Sequence, residues 1–596
     1  MLKSFKTASA ASIALVICSH VTIAAEVSAE PVIITATRTA QIADATLAPV
    51  IVITQEDIQR TQAADVADLL RLHAGLDIGR NGGPGQVTSL FMRGTESNHV
   101  LVMVDSVKIN PGSIGGAALQ NISPAQIDRI EIVKGPRSTL YGSDAVGGVV
   151  NIITKRAAGG LHASAEVGAG SYDSSQIAGG IHYADAMKAG ITLSRFETKG
   201  FSPQQSSTLA RGHDNTSFNT YLGGKVQGAD IELNHWQAMG NTEYLDYFLA
   251  PLDYDFTNRA SALTVRANPS SIWASTLRAS RALDNIDQNQ SSDFAHTQRD
   301  TLEWQNDVQL DEHHLLSAGL SLAREDVASM VYGTGFDERN LTRALYLQDN
   351  LTQGDHQLLV AARHTRHDGF GAHTTADLEY GYRLTPATRL IASAGTAFRA
   401  PDQTDRFGYS GNPDLNPETA RNIEFGLRQR LGANQHLAVN VYSNHIDDLI
   451  NYDSATNKMG NIQRARIRGI EAQYSVHVDT AVQMNLELTA QDPKDLSSDV
   501  VLPRRAKRSA TASVVYDQPA YQLGADVIVS GERKDSNYSD DTMGGYGLVN
   551  LNGMLRLDKT WSMRAKVDNL FDKQYELARD YNTAGRTLWI SASYQQ

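Results

Sequence analysis

The chain has 596 residues, a formal net charge of −13 and a mean hydropathy of −0.31. A single solid core usually divides beyond ~250–300 residues, so a soluble reading needs several domains, whereas a closed membrane barrel avoids that limit. The acidic balance argues against a general nucleic-acid binder, which would carry a basic stripe.

Residues 1 to about 25 read as an export signal, with Lys3 and Lys6 ahead of a short apolar run and Ala24 and Ala25 behind it. Cleavage is expected between 24 and 29. The one cysteine, Cys18, lies inside this segment, so the mature chain is expected to carry no disulfide framework. No later window holds 18 uncharged apolar residues, which excludes a spanning helix.

Residues 30–160 read as a small mixed domain. Pro31 to Arg38 (PVIITATR) is an extended, β-branched run that reads either as an ordinary first strand or as a segment free to pair with an outside strand. Val50 and Val52 then predict a strand, and Thr54-Gln-Glu-Asp57 a helix start. Val66, Leu69 and Leu70 share a face and predict a second helix over 63–72, ended by Gly75. Strands follow at 100–104, around Ile130 and Ile132 as a half-buried strand, and at 149–153. NGGPG lacks a following Gly-Lys-Ser/Thr, and GSDAVGG lacks the strand–GxGxxG–helix setting, so neither reads as a nucleotide loop.

From residue 161 the pattern becomes period two. Leu437, Val439 and Val441 alternate with His436, Ala438 and Asn440, and Met563, Ala565 and Val567 with Arg564, Lys566 and Asp568. Runs of ~9–11 residues match a tilted membrane strand. Short turns such as 432–434 and 386–388 separate them from long polar loops, expected at 201–217, 241–259, 284–298, 402–417 and 532–547. Some 436 residues at ~20 per strand and connection predict a transmembrane antiparallel β-barrel of about 22 strands. A barrel that wide leaks unless plugged, which gives residues 39–160 a task inside the lumen.

Several stretches resemble TonB-dependent outer-membrane receptors, the cobalamin (vitamin B12) receptors most closely. They include FMRGTESNHVLVMVDSVKIN, IDRIEIVKGPRSTLYGSDAVGGVVNIITK, RARIRGIEAQY and DNLFDKQYELARDYNTAGRTLWISASY. The resemblance spans the whole mature chain. It implies location in the outer membrane of a Gram-negative bacterium, amid lipopolysaccharide, and energised uptake of a corrinoid without chemistry. It also makes residues 31–38 the energy-coupling box, with Val32, Ile33, Ile34, Thr35 and Ala36 pairing with the C-terminal domain of TonB.

Carried over by motif, the resemblance places Asn81, Val87, Ser89, Ile114 and Gly115 at the apex of the plug, and Arg504 and Tyr538 on barrel loops, all toward cobalamin. Glu96, Gly115 and Asp293 stand where Asn, Ser and Thr are expected. The resemblance further implies a calcium site at Asp214, Asp246 and Asp255, with Asp253 competing with Asp255. Gly212, Thr216 and Ser202 stand where more ligands are expected, so calcium is expected to be weak. Within the same family the competing reading is a ferric-siderophore or haem receptor. An enzyme is not expected: Ser143 lacks a GxSxG elbow and His313-His314 lacks an HExxH frame.

Overall fold

The computed structural model describes residues 33–34, 41–42, 46–536 and 541–596. β1 (Ile33–Ile34) pairs antiparallel with β2 (Gln41–Ile42).

β3 (Val50–Ile53) leads into α1 (Gln55–Thr61) through a capping box. Thr54 Oγ1 accepts from the Asp57 amide, and the Asp57 carboxylate accepts from the Thr54 amide. α2 (Val66–Leu70) is shorter than the expected 63–72, because Asp65 caps it by accepting from the Asp68 amide. β4 (Leu76–Arg80) and β5 (Thr88–Met92) form a separate hairpin. β6 (Val100–Val104), β7 (Val107–Lys108), β8 (Ile127–Lys134), the short α3 (Ser138–Tyr141) and β9 (Gly148–Thr154) follow.

Their sheet has the order β3-β8-β9-β6-β7, with β6 and β9 parallel. Leu69, Leu70, Met92, Ile130, Ile132 and Val150 form its core. β8 is not half-buried as expected. Glu131, on the face opposite its isoleucines, is as buried as they are, since the surrounding wall closes both faces of the sheet.

That wall is a closed barrel of 22 strands in which every neighbouring pair is antiparallel. It closes where Gly160–Gly170 pairs with Thr587–Gln595. At one end the connections are two to four residues long; at the other they reach 18 residues, at 400–417 and 569–586. Short turns mark the periplasmic end and long loops the external one.

Alternation sets the two faces. In Glu418–Arg430, Glu418, Ala420, Asn422 and Glu424 are buried toward the plug, while Ile423 and Phe425 are exposed outward. Trp561 with Tyr594 and Tyr516 with Tyr521 cluster near the turn end, as in an interfacial aromatic girdle.

The strands are longer than the 9–11 residues expected, reaching 20 in Pro251–Ser270, Thr334–Gln353 and Lys458–His477. The expected loops 201–217, 241–259 and 284–298 shrink to 202–210, 246–250 and 289–293. Polar residues above the bilayer keep their ladder hydrogen bonds, so the hairpins project past the membrane as sheet.

Candidate ligand vestibule and plug latch

Two plug loops rise toward the long-loop end. The first is the β4–β5 connection, where the Asn81 amide donates to the Val87 carbonyl. Val87 is 55% exposed at its tip, and Ser89 pairs with Gly79 below. A Cβ at Gly79 would stand 3.5 Å from Arg504 Cδ, so Arg504 lies against the foot of this loop. The second loop carries Ile114, also 55% exposed, and Gly115, whose absent Cβ would meet Asn98 at 2.8 Å with φ at +71°. Ser97 links the two loops: its hydroxyl accepts from the Leu90 amide and lies against Gly116.

The structure therefore brings Asn81, Val87, Ser89 and Arg504 to one side and Glu96, Ile114 and Gly115 to the other. Glu96 is committed to Arg505 at 2.6 Å. Asp293 stands apart, at a barrel hairpin tip beside the backbone of Tyr332. Tyr538 lies outside the described residues. Arg504 is itself held by Asp535, at 2.7 Å.

A barrel loop grips the second apex. α4 (Gln403–Phe407) begins in the 400–417 connection, and the amides of Gln403 and Thr404 donate to the carbonyls of Gly112 and Ser113. Beneath it Arg399 reaches Asp402, Asp405 and Glu418. Burial, with Asp405 close by, holds the Asp402 carboxyl well above the usual range. His99 Nδ1 accepts from the Glu96 amide, which leaves Nε2 to donate to Glu418 at 2.5 Å.

Deeper, the plug is latched to the wall by charge. Arg93 forms ion pairs with Glu424 at 2.9 Å and Glu471 at 2.8 Å, and stacks 4.4 Å over the Tyr442 ring. Lys134 reaches the other oxygen of Glu471 at 3.2 Å, Arg137 reaches Glu379, and Arg60 reaches Asp526 at 2.9 Å. Asp77 receives Gln491 from the wall, and burial pushes its carboxyl up to about 6. Along another side the contact opens into a cavity of about 730 Å³. It runs from Asp402 and Gln403 near the external end to Arg266 and Asp307 near the turns.

A plug of this topology inside a 22-strand barrel is matched by two family descriptions. Residues 43–149 match the TonB-dependent receptor plug domain, and residues 183–570 match the TonB-dependent receptor-like β-barrel. The chain belongs to the TonB-dependent receptors.

Solved structures agree on the fold. The siderophore receptor PirA of Acinetobacter baumannii is 18% identical, with a TM-score of 0.79 over 92% of this chain and 98% of that one. A mutant of the ferric enterobactin receptor PfeA of Pseudomonas aeruginosa, in complex with enterobactin, gives 18% and 0.79 over 92% and 99%. The FrpB iron transporter of Neisseria meningitidis gives 16% and 0.80 over 92% and 99%. Membership places the receptor in the Gram-negative outer membrane, makes it a transport protein and implies interaction with TonB.

Of the coupling segment, Val32, Thr35 and Ala36 lie outside the described residues. Ile33 and Ile34 form β1, two residues of strand held by two residues of β2.

The four calcium candidates do not form a cation cage. Asn241 Nδ2 donates to both Asp253 and Asp255 at 2.8 Å, placing a donor between the two carboxylates. Asp246 Oδ1 instead accepts from the amides of Phe248 and Ala250. Asp214 faces outward opposite Asn241. Among the described residues no group of three or more acidic, His or Cys side chains is arranged to hold a metal, and calcium wants 6–8 oxygens.

The latch is the functional feature that sequence reasoning missed. Its signal lay in lumen-facing carboxylates inside strand patterns, namely Glu379 in LEYGY, Glu424 in IEFGL and Glu471 in GIEAQ. A carboxylate on the plug-facing side of a strand demands a cationic partner.

Proposed function

We propose that this receptor imports a ferric siderophore or comparable iron chelate, driven by TonB. The observation that carries the reading is the set of solved structures sharing its whole architecture over 92% of the chain, named as receptors for siderophores, enterobactin and iron. The external rim suits an aromatic chelate: Tyr247, Phe248, Tyr332 and Tyr409 are each at least 70% exposed on its loops.

One observation favours a second reading, a corrinoid. The plug apex presents two exposed aliphatic side chains, Val87 and Ile114, and Arg504, at the foot of the first loop, is neutralised by Asp535. Such a surface suits a large, amide-fringed macrocycle of low charge better than a polyanion. The sequence motifs shared with cobalamin receptors support the same ligand.

In either reading β1 is the coupling element. Two residues held by two is a marginal pairing, so TonB can replace β2 by strand addition and transmit force to the plug.

Equilibrium binding of a ferric-siderophore panel, haem and cyanocobalamin to detergent-solubilised receptor tests the assignment. Saturable binding of a ferric siderophore alone is expected. Tight binding of cyanocobalamin with none of the iron chelates would replace the first reading with the second.

A further inference from the structure

The outer face of the barrel is not uniform where it leaves the bilayer. Arg421, His445, Arg466 and Lys494 are direct cross-strand neighbours on four consecutive strands. All four point outward, because the residues beside them in sequence, Ala420, Ile446, Ala465 and Asp495, are buried toward the lumen. Arg464 and Arg468 extend the same outward face of Lys458–His477 on either side of Arg466.

Like charges directly opposite one another destabilise a sheet, so this row carries a cost unless an anion offsets it. The protein supplies part of that anion, at the edges and at Asp492, which stands directly opposite Arg468 but pairs with Lys507. Arg421 pairs with Asp447 at 2.8 Å, Lys494 with Asp499 at 2.6 Å, and Lys507 with Asp492 at 3.6 Å. The centre is left over. Among the described residues the side chains of Arg464, Arg466 and Arg468 have no hydrogen bond or ion pair, and Arg466 Nε is shielded from solvent without a partner. Six cations, Arg421, Arg464, Arg466, Arg468, Lys494 and Lys507, thus outnumber the carboxylates beside them, Asp447, Asp448, Asp492 and Asp499, in a chain whose net charge is −13.

Height decides what can reach them. Two outward positions below the row lies an apolar row, Phe425, Val441, Ile470 and Ala490, continued by Leu427, Val439, Ala472 and Leu488. Four residues at ~3.4 Å each, tilted ~45°, put the cations about 10 Å above the apolar band, at headgroup level. The opposite arc carries acid at the corresponding end: Glu197, Asp214, Asn241, Asp255 and Asp287 form one outward row across five strands.

We propose that the outward face around Arg464, Arg466 and Arg468, flanked by Arg421 and Lys494, binds the phosphate groups of a phosphorylated glycolipid of the outer leaflet, lipopolysaccharide. Guanidinium forks match phosphate oxygens two at a time. Acyl chains lie along Phe425, Val441 and Ile470. The row spans four strands at ~4.8 Å spacing, wide enough for more than one phosphate.

Native mass spectrometry of the full receptor in non-ionic detergent, titrated with bisphosphorylated lipid A, tests this. Wild type is expected to retain one equivalent. Arg466→Gln with Arg468→Gln is expected to lower the affinity about tenfold or more, with folding checked by heat-modifiable gel mobility. Monophosphorylated lipid A is expected to bind more weakly, and Asp255→Asn on the acidic arc to change nothing. Undiminished retention by the folded double variant overturns the proposal. Displacement by inorganic phosphate at equal phosphate concentration would reduce the site to a free-anion site, and equal retention of phosphatidylglycerol would remove the glycolipid assignment. If the double variant does not fold, Arg464→Gln and Arg421→Gln, both at exposed side chains, carry the same test: normal retention in both overturns the proposal.

Discussion

The barrel wall and the plug interface are built from opposite materials. The wall is a continuous backbone ladder closed on itself, with exposed Leu, Val, Ile and Phe side chains such as Leu320, Leu345, Phe425 and Val441 on its outer face. The plug interface depends on a few buried ion pairs, Arg93 with Glu424 and Glu471 foremost, beside a cavity lined by polar and charged side chains such as Arg299, Glu303 and Asp307. A ladder with no edge has no weak point at which to open. Buried ion pairs offer little net stability, because desolvation offsets most of the Coulomb gain, yet they specify one docked geometry. Once water reaches them that desolvation cost is returned. A receptor whose wall must hold while its plug yields to force needs this division.

The comparison breaks first at the coupling strand. Ile34→Pro removes a ladder donor from β1 and constrains the residue before it. Energy-dependent uptake is expected to be abolished with ligand binding unchanged. Normal uptake by cells carrying the variant would mean that force enters the plug elsewhere.

Arg93→Leu is the next largest effect. It leaves Glu424 and Glu471 facing each other without their shared cation, a loss of about 3–5 kcal/mol in plug docking. Faster hydrogen exchange across β4 and β5, with normal heat-modifiable mobility of the barrel, is the expected signature. Loss of barrel folding would show that wall and plug are one cooperative unit.

Asp77 sharpens the comparison through pH. Its carboxyl, raised by burial to about 6 when docked, binds more protons docked than released between pH ~4 and ~6. Its contribution is fully present below the ordinary carboxylate value and is lost as pH rises through about 6, amounting to at most about 3 kcal/mol. Asp77→Asn keeps an acceptor for Gln491 and should remove that slope. Exchange rates in β4 measured from pH 4 to 7 in both proteins would reveal it; parallel slopes would discount Asp77.

The smallest effect is expected at the rim. Arg504→Ala should weaken ligand binding by about 1–2 kcal/mol, as loss of a charged hydrogen bond does, since Asp535 already shares the guanidinium. A double-mutant cycle with Asp535→Ala separates a ligand contact from a loop brace. Unchanged affinity in Arg504→Ala leaves Arg504 as a brace.

Period-two alternation in Glu418–Arg430 or Gln435–Asp453 by itself determined the wall, because one face of each strand must meet lipid and the other must not. The capping box at Thr54 and the helix face of Val66, Leu69 and Leu70 were equally legible, since they are written in neighbouring residues. Strand length was not. Whether a polar stretch such as Gly240–Leu245 stays in the ladder depends on the strand beside it, here Pro251–Phe256. The latch was likewise decided only in three dimensions. Arg93 lies 331 residues from Glu424 and 378 from Glu471, and only closure of the barrel brings three such positions to one point. The same closure lines up Arg421, His445, Arg466 and Lys494, since register between strands, not spacing along one, sets which side chains stand side by side.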